Sequence, residues 1–99
     1  MLLSELRPGM ENVNLKVTLM KLEEERIVST HSGFKHRIVE GKIKNHSISM
    51  NLTVWNEKIE DLEGIALGED LILNDCFISS FKGVLSVNVG KNSVIKKIE

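Results

Sequence analysis

The side chains best suited to chemistry in this chain are aromatic, and the largest of them sits out of place. In the run Ile48 to Trp55, Ile48, Met50, Leu52 and Val54 form one register, while Ser49, Asn51, Thr53 and Trp55 form the other. Successive side chains in a strand point to opposite faces, so the only tryptophan falls in line with polar residues. Phe77 and Phe81 share parity around Ile78-Ser79-Ser80, which puts both on one face of a strand if no bulge intervenes. The remaining aromatic, Phe34, lies just after a loop-like Thr30-His31-Ser32-Gly33. A ring held out among Ser, Asn and Thr side chains suits a flat ligand with a π-surface of its own.

Basic residues are locally concentrated. From Arg26 to Lys44, Arg26, Lys35, Arg37, Lys42 and Lys44 stand against Glu40 alone, whereas acids collect at Glu23 to Glu25 and at Glu57, Glu60, Asp61 and Glu63. The whole chain has 13 Lys plus Arg against 14 Asp plus Glu, a net charge of -1, which argues against a polyanion binder held by charge alone. No catalytic constellation emerges. His31, His36 and His46 are spread over a loop, a strand and a turn without the compact spacing of a metal site. The carboxylates between Glu57 and Glu63 read as the solvated face of a short helix, with no buried environment to tune them. The single cysteine, Cys76, excludes an intramolecular disulfide and a multi-thiolate zinc site, and reads as a small buried thiol. Gly90-Lys91-Asn92-Ser93 lacks the leading glycines and the strand–loop–helix setting of a phosphate loop. Neither a metal nor a cofactor is expected, and no enzyme activity.

The elements that must position these side chains are mostly strands. At 99 residues, 41% hydrophobic and 27% charged, the expectation is one soluble domain spanning residues 1–99, with an open groove rather than a deep pocket. No signal peptide or membrane-spanning run is visible, so an intracellular, cytoplasmic protein without a membrane partner is expected. Arg7-Pro8-Gly9 signals a turn, and Val13, Leu15, Val17 and Leu19 then alternate with polar residues as a first strand. Lys35 to Lys44 forms a second, with Val39, Gly41 and Ile43 in one register. Lys44-Asn45-His46-Ser47 connects it to a third, Ile48 to Trp55. Asn56 to Glu63 reads as a short helix capped by Asn56 and stopped by Gly64. A fourth strand starts at Leu71 and runs toward Phe77. Phe81-Lys82-Gly83 turns into a fifth carrying Leu85, Val87 and Val89, and Ser93 to Ile98 adds a last extended piece.

Three strands, a helical crossover and two strands favour closure into a barrel, which removes exposed sheet edges. The fold class expected is all-β: a five-stranded OB-fold barrel with one short helix between strands 3 and 4. An SH3-like barrel normally lacks a helix there. In an OB barrel the second and third strands, with the adjoining loops, form the binding face. Trp55, the bases and the Phe77/Phe81 pair all map to it, and the bases of single-stranded nucleic acid are flat ligands of the required kind.

Leu6-Arg7-Pro8-Gly9-Met10-Glu11-Asn12-Val13-Asn14-Leu15, Ser32-Gly33, Leu52-Thr53-Val54-Trp55, Phe77-Ile78-Ser79-Ser80-Phe81-Lys82-Gly83 and Val89-Gly90-Lys91 together resemble the short archaeal single-stranded-DNA-binding proteins. Their eukaryotic relatives in the sensor-of-single-stranded-DNA complex share the pattern. The resemblance implies a single OB fold that binds single-stranded DNA without catalysis and protects it in replication, recombination or repair. It implies stacking by Trp55, Phe77 and Phe81. Lys35, Arg37 and Lys82 are the expected phosphate contacts, with Thr30 as a polar loop contact. The implied partners are single-stranded DNA, with RNA as the alternative, and repair or replication proteins; a nucleoid-associated monomer is expected. An OB subunit that binds a protein partner through Trp55 is a further alternative. The chain departs from the pattern in the basic Lys44-Asn45-His46-Ser47 turn, in Asn88 where some relatives carry an aromatic, and in stopping at Glu99, without the glycine-rich tail common in relatives.

Overall fold

The computed structural model describes residues 1–98. Seven strands form in chain order: β1 (Val13–Leu22), β2 (Arg26–Ser29), β3 (Lys35–Asn45), β4 (Ile48–Trp55), β5 (Asp70–Phe81), β6 (Val84–Val89) and β7 (Val94–Lys97). Two 3-10 helices, Leu3–Glu5 and Asn56–Leu62, complete the described elements. Strand β1 pairs with β3 along one edge and with β5 along the other, and β3–β4, β4–β6 and β6–β5 complete the circuit. The β4–β6 pairing is parallel and the others in the circuit are antiparallel. This is the closed five-stranded barrel expected, with β2 added beside β3 and β7 beside β5.

The core follows from alternation. Val13, Leu15, Val17 and Leu19 of β1 point inward with Ile43, Leu52, Val54, Leu71, Leu73, Ile78, Val87 and Val89. Leu3 and Leu6, from the first 3-10 helix and its end, are buried in the same cluster, as is Leu62 from the second. Cys76 belongs to it too, and burial pushes its thiol up to about 11, which leaves no nucleophile at neutral pH.

Three local expectations change. Arg26–Ser29 is a strand in its own right, so the strand expected second is β3. The fourth expected strand continues as β5 through Phe81, because Ile78 still points into the core and β6 pairs with β5 as far as Phe81↔Val84. Asn56 does not cap the helix. It adopts a left-handed backbone (φ 50), and its side chain turns to β3, where Oδ1 accepts the Arg37 backbone N–H at 3.1 Å. Its amide group donates instead to His36 Nδ1, at 3.1 Å.

Barrel closure bends β1 at a bulge where the register with β3 shifts between Leu19 and Lys21. Gly41 lies beneath it, and a Cβ there would overlap the Lys21 carbonyl oxygen. Gly41→Ala is expected to destabilise the fold by about 1–3 kcal/mol, the usual cost of overpacking. Thermal denaturation should show it as a Tm lower by about 4–8 °C per kcal/mol. An unchanged Tm would mean that the bulge relaxes freely.

Candidate nucleic-acid interface

The outward register of β4, β6 and β5 builds one continuous face. Thr53 lies beside Asn88 and Asn51 beside Ser86 across the β4–β6 pair, while Phe77, Ser79 and Phe81 of β5 face Asn88, Ser86 and Val84. No register shift interrupts β5–β6 between Phe77 and Phe81, so both phenylalanines share this face with Trp55. On the far side, Ile38 and Glu40 of β3 pair with Trp55 and Thr53, and Arg26 of β2 pairs with Ile38.

These residues enclose an open groove of ≈ 530 Å³. One wall carries Trp55, Ile38, Arg26 and Glu40; the other carries Phe81, Lys82 and Val84. The floor is polar and uncharged: Asn51, Thr53, Ser79, Ser86 and Asn88. Thr53 and Ser86 hydroxyls are hydrogen-bonded to each other at 3.1 Å. The Asn51 amide makes no side-chain hydrogen bond among the described residues, so it is available to a ligand.

The three predicted stacking residues differ in setting. Trp55 is half-buried, with its indole N–H donated to Asn88 Oδ1 at 3.0 Å and the His36 ring edge-on at 5.8 Å. Phe81 is 75% exposed at the β5–β6 hairpin, where Lys82 and Gly83 both adopt positive φ as a two-residue turn requires. The Lys82 ammonium lies 5.3 Å from the Phe81 ring centroid, a cation–π contact at the groove rim. Phe77 is 39% exposed and packs close over Gly90. It lines a second, smaller concavity of ≈ 260 Å³ with Asn12, Lys91 and Asn92 rather than the main groove.

The expected phosphate contacts divide. Lys82 lines the groove. Lys35 and Arg37 share parity with Val39, Gly41 and Ile43, the inward register of β3, and so lie on the face away from Trp55. The Arg37 guanidinium meets Glu60 at 3.0 Å and Glu25 at 3.6 Å, and Glu60 above all holds it charged. Thr30 closes the β2–β3 turn, its hydroxyl 3.0 Å from Ser32 Oγ and 3.4 Å from the Phe34 carbonyl oxygen. The bases in the outward register are Arg26, ion-paired with Glu40, Lys42, opposite Asn51, and Lys44, which stands opposite Ser49 beyond the end of the groove. Sequence reasoning grouped all these bases by proximity. Their parity relative to Trp55's strand partners is the signal that separates them, and it also points to Asn51 and Glu40. Phe34 is 68% exposed in the β2–β3 turn, outside the groove.

No group of three or more His, Cys, Asp and Glu side chains placed to hold a metal ion occurs among the described residues. No helix of those residues is long and apolar enough to cross a membrane.

No family model matches the chain. Over 90 residues it is 26% identical to the single-stranded DNA binding protein Ssb of Saccharolobus solfataricus, a match covering 91% of this chain and 58% of that relative. The chain thus spans little more than half the length of that relative. The replication factor A related protein of Methanobacterium thermoautotrophicum superimposes with a TM-score of 0.82 at 20% identity, covering 100% of this chain and 90% of that one. Schizosaccharomyces pombe Pot1pC, in a structure bound to single-stranded DNA, superimposes with a TM-score of 0.75 at 12% identity, covering 100% and 86%. Strand order, the parallel β4–β6 closure and these superpositions together make the chain an OB-fold protein, similar in sequence to an archaeal single-stranded DNA binding protein.

Proposed function

We propose that the groove binds single-stranded DNA, without catalysis, and shields it during replication, recombination or repair. The observation that carries this is the pair of aromatic side chains, Trp55 and Phe81, on opposite walls of one open groove with a polar, uncharged floor. Each ring can stack on a base, and stacking tolerates any sequence because every base has a π-face. Phe77 extends the same face toward Gly90 and offers a further stack at its end. The similarity to the Saccharolobus Ssb supports the same ligand class.

Electrostatics are the minor partner. Lys82, Lys42 and Arg26 are the bases beside the strand's path, and Arg26 is already engaged by Glu40. Lys35 and Arg37 stand on the reverse face and add only long-range attraction, and Thr30 serves its own turn. With a net charge of -1, the salt dependence should be shallow, at about 0.7 in log–log slope per phosphate contacted on a single strand. A slope implying roughly eight or more contacts would contradict this account.

Titration with oligo-dT should quench Trp55 fluorescence, and Trp55→Ala should weaken binding by about 1–3 kcal/mol. Duplex of the same length should compete poorly. Emission that ignores the oligonucleotide would remove Trp55 from the interface. Matched RNA as competitor distinguishes a DNA-selective groove from one that reads only bases, since stacking alone does not sense the 2′-hydroxyl. Glu40→Gln should free Arg26 for a phosphate, tighten binding at low salt and steepen the log–log slope by about 0.7. An unchanged slope and affinity would show that Arg26 does not reach the strand.

A further inference from the structure

Asn88 is the most deeply set residue of the groove floor. It is 3% exposed, and its side-chain amide has hydrogen-bond partners on both its oxygen and its nitrogen. Oδ1 accepts the Trp55 indole N–H at 3.0 Å. Nδ2 is 3.2 Å from the Phe77 carbonyl, 2.9 Å from Ser79 Oγ and 3.2 Å from the Ser86 carbonyl. The orientation of the amide is forced: an indole N–H can only donate and backbone carbonyls can only accept, so a flipped amide would face like with like.

We infer that Asn88 is a positioning residue that fixes the angle of the Trp55 indole for base stacking and ties it to the strand that carries Phe77 and Phe81. An indole in a groove this open has room to turn about its side-chain torsions. Its N–H is instead anchored to the floor on one side, while the His36 ring meets it on another at an interplanar angle of 82°. His36 is held in turn. Asn56 Oδ1 is taken by the Arg37 backbone N–H, so the Asn56 amide donates and His36 Nδ1 accepts, which puts the imidazole proton on Nε2. The ring that would stack is thus ordered before any ligand arrives, and a ligand need not supply the cost of freezing it. The same amide spans the sheet, joining Trp55 on β4 to Phe77 and Ser79 on β5 across β6. An aliphatic residue at this position would fill the space and leave the indole N–H without its anchor.

This inference rests on Trp55 stacking with a base, but its first readouts need no nucleic acid. In the free protein the Trp55 Nε1–H should exchange with solvent at least about tenfold more slowly than a free indole, since it is held in a part-buried hydrogen bond. Asn88→Val should raise that exchange rate and speed the decay of Trp55 fluorescence anisotropy on the nanosecond scale. The same substitution should weaken oligo-dT binding about three- to tenfold, the scale of freezing one side chain on association. In a Trp55→Ala background it should cost less than about twofold, because the anchored ring is gone. An unprotected Nε1–H in the unaltered protein would overturn the inference even if Asn88→Val failed to fold. So would an equal loss of affinity from Asn88→Val with and without Trp55. If Trp55→Ala left binding unchanged while indole mobility still rose in Asn88→Val, the stacking role would fall and the anchoring would stand.

Discussion

Closure of the sheet through β1 is the constraint on which everything else in the molecule depends. Strand β1 pairs with β3 on one side and β5 on the other, bending at its bulge over Gly41 to reach both. Once the barrel closes, each of its strands has one face in the core and one face out, and period-two alternation decides which residue goes where. Leu52 and Val54 are taken inside, so Asn51, Thr53 and Trp55 must be outside. The parallel β4–β6 pairing then brings Ser86 and Asn88 beside them, and β5 adds Ser79 and Phe81. The groove is a consequence of closure, with its rim raised by the β5–β6 hairpin on one side and by β2 on the other.

An outward tryptophan on a small sheet is costly unless something restrains it and something uses it. Here the restraint is visible. Its indole N–H is satisfied by Asn88, and its ring is met by His36, which is held through Asn56 by the backbone of β3. The left-handed backbone at Asn56, uncommon for a residue other than glycine, lets that side chain reach back to β3 directly after Trp55. The turn that ends the strand and the contacts that orient its last side chain are therefore one structure. The opposite wall is more open: Phe81 is 75% exposed on a hairpin, opposite Val84 and with the Lys82 ammonium over its ring. The two walls differ accordingly, one ordered in advance and the other free to adapt.

Much of this was legible in the chain. The alternation of β1, β4 and β6, the hairpin at Lys82-Gly83 and the outward parity of Trp55, Phe77 and Phe81 are all readable as period two. What was not legible has physical reasons. Strand β2 carries Arg26, an Ile27 left exposed and a half-buried Val28, so it shows no core-facing pattern and is held by backbone pairing to β3 and by the Arg26–Glu40 ion pair. The far end of β5 is weakened as a signal by Ser79 and Ser80, although Ile78 keeps it in register. Asn56 matched the composition of a helix cap, but its side chain is committed to β3 instead. Asn88 reads as a surface polar residue, and only the parallel neighbour β4 shows that it lies under an indole. The basic cluster from Arg26 to Lys44 was visible as composition, while its division between two faces follows from strand parity and from Glu60 and Glu25 on the far side.

The central claim is that the Trp55–Phe81 groove is where a single strand lies. Following backbone and indole resonances while oligo-dT is added tests it residue by residue. The account predicts the largest perturbations at the Trp55 indole N–H and at Asn51, Thr53, Ser79, Phe81, Lys82 and Ser86, with Phe77 following as the strand lengthens. Perturbations centred instead on Arg37, Glu60 and the reverse face of β3, with the Trp55 indole unmoved, would contradict it.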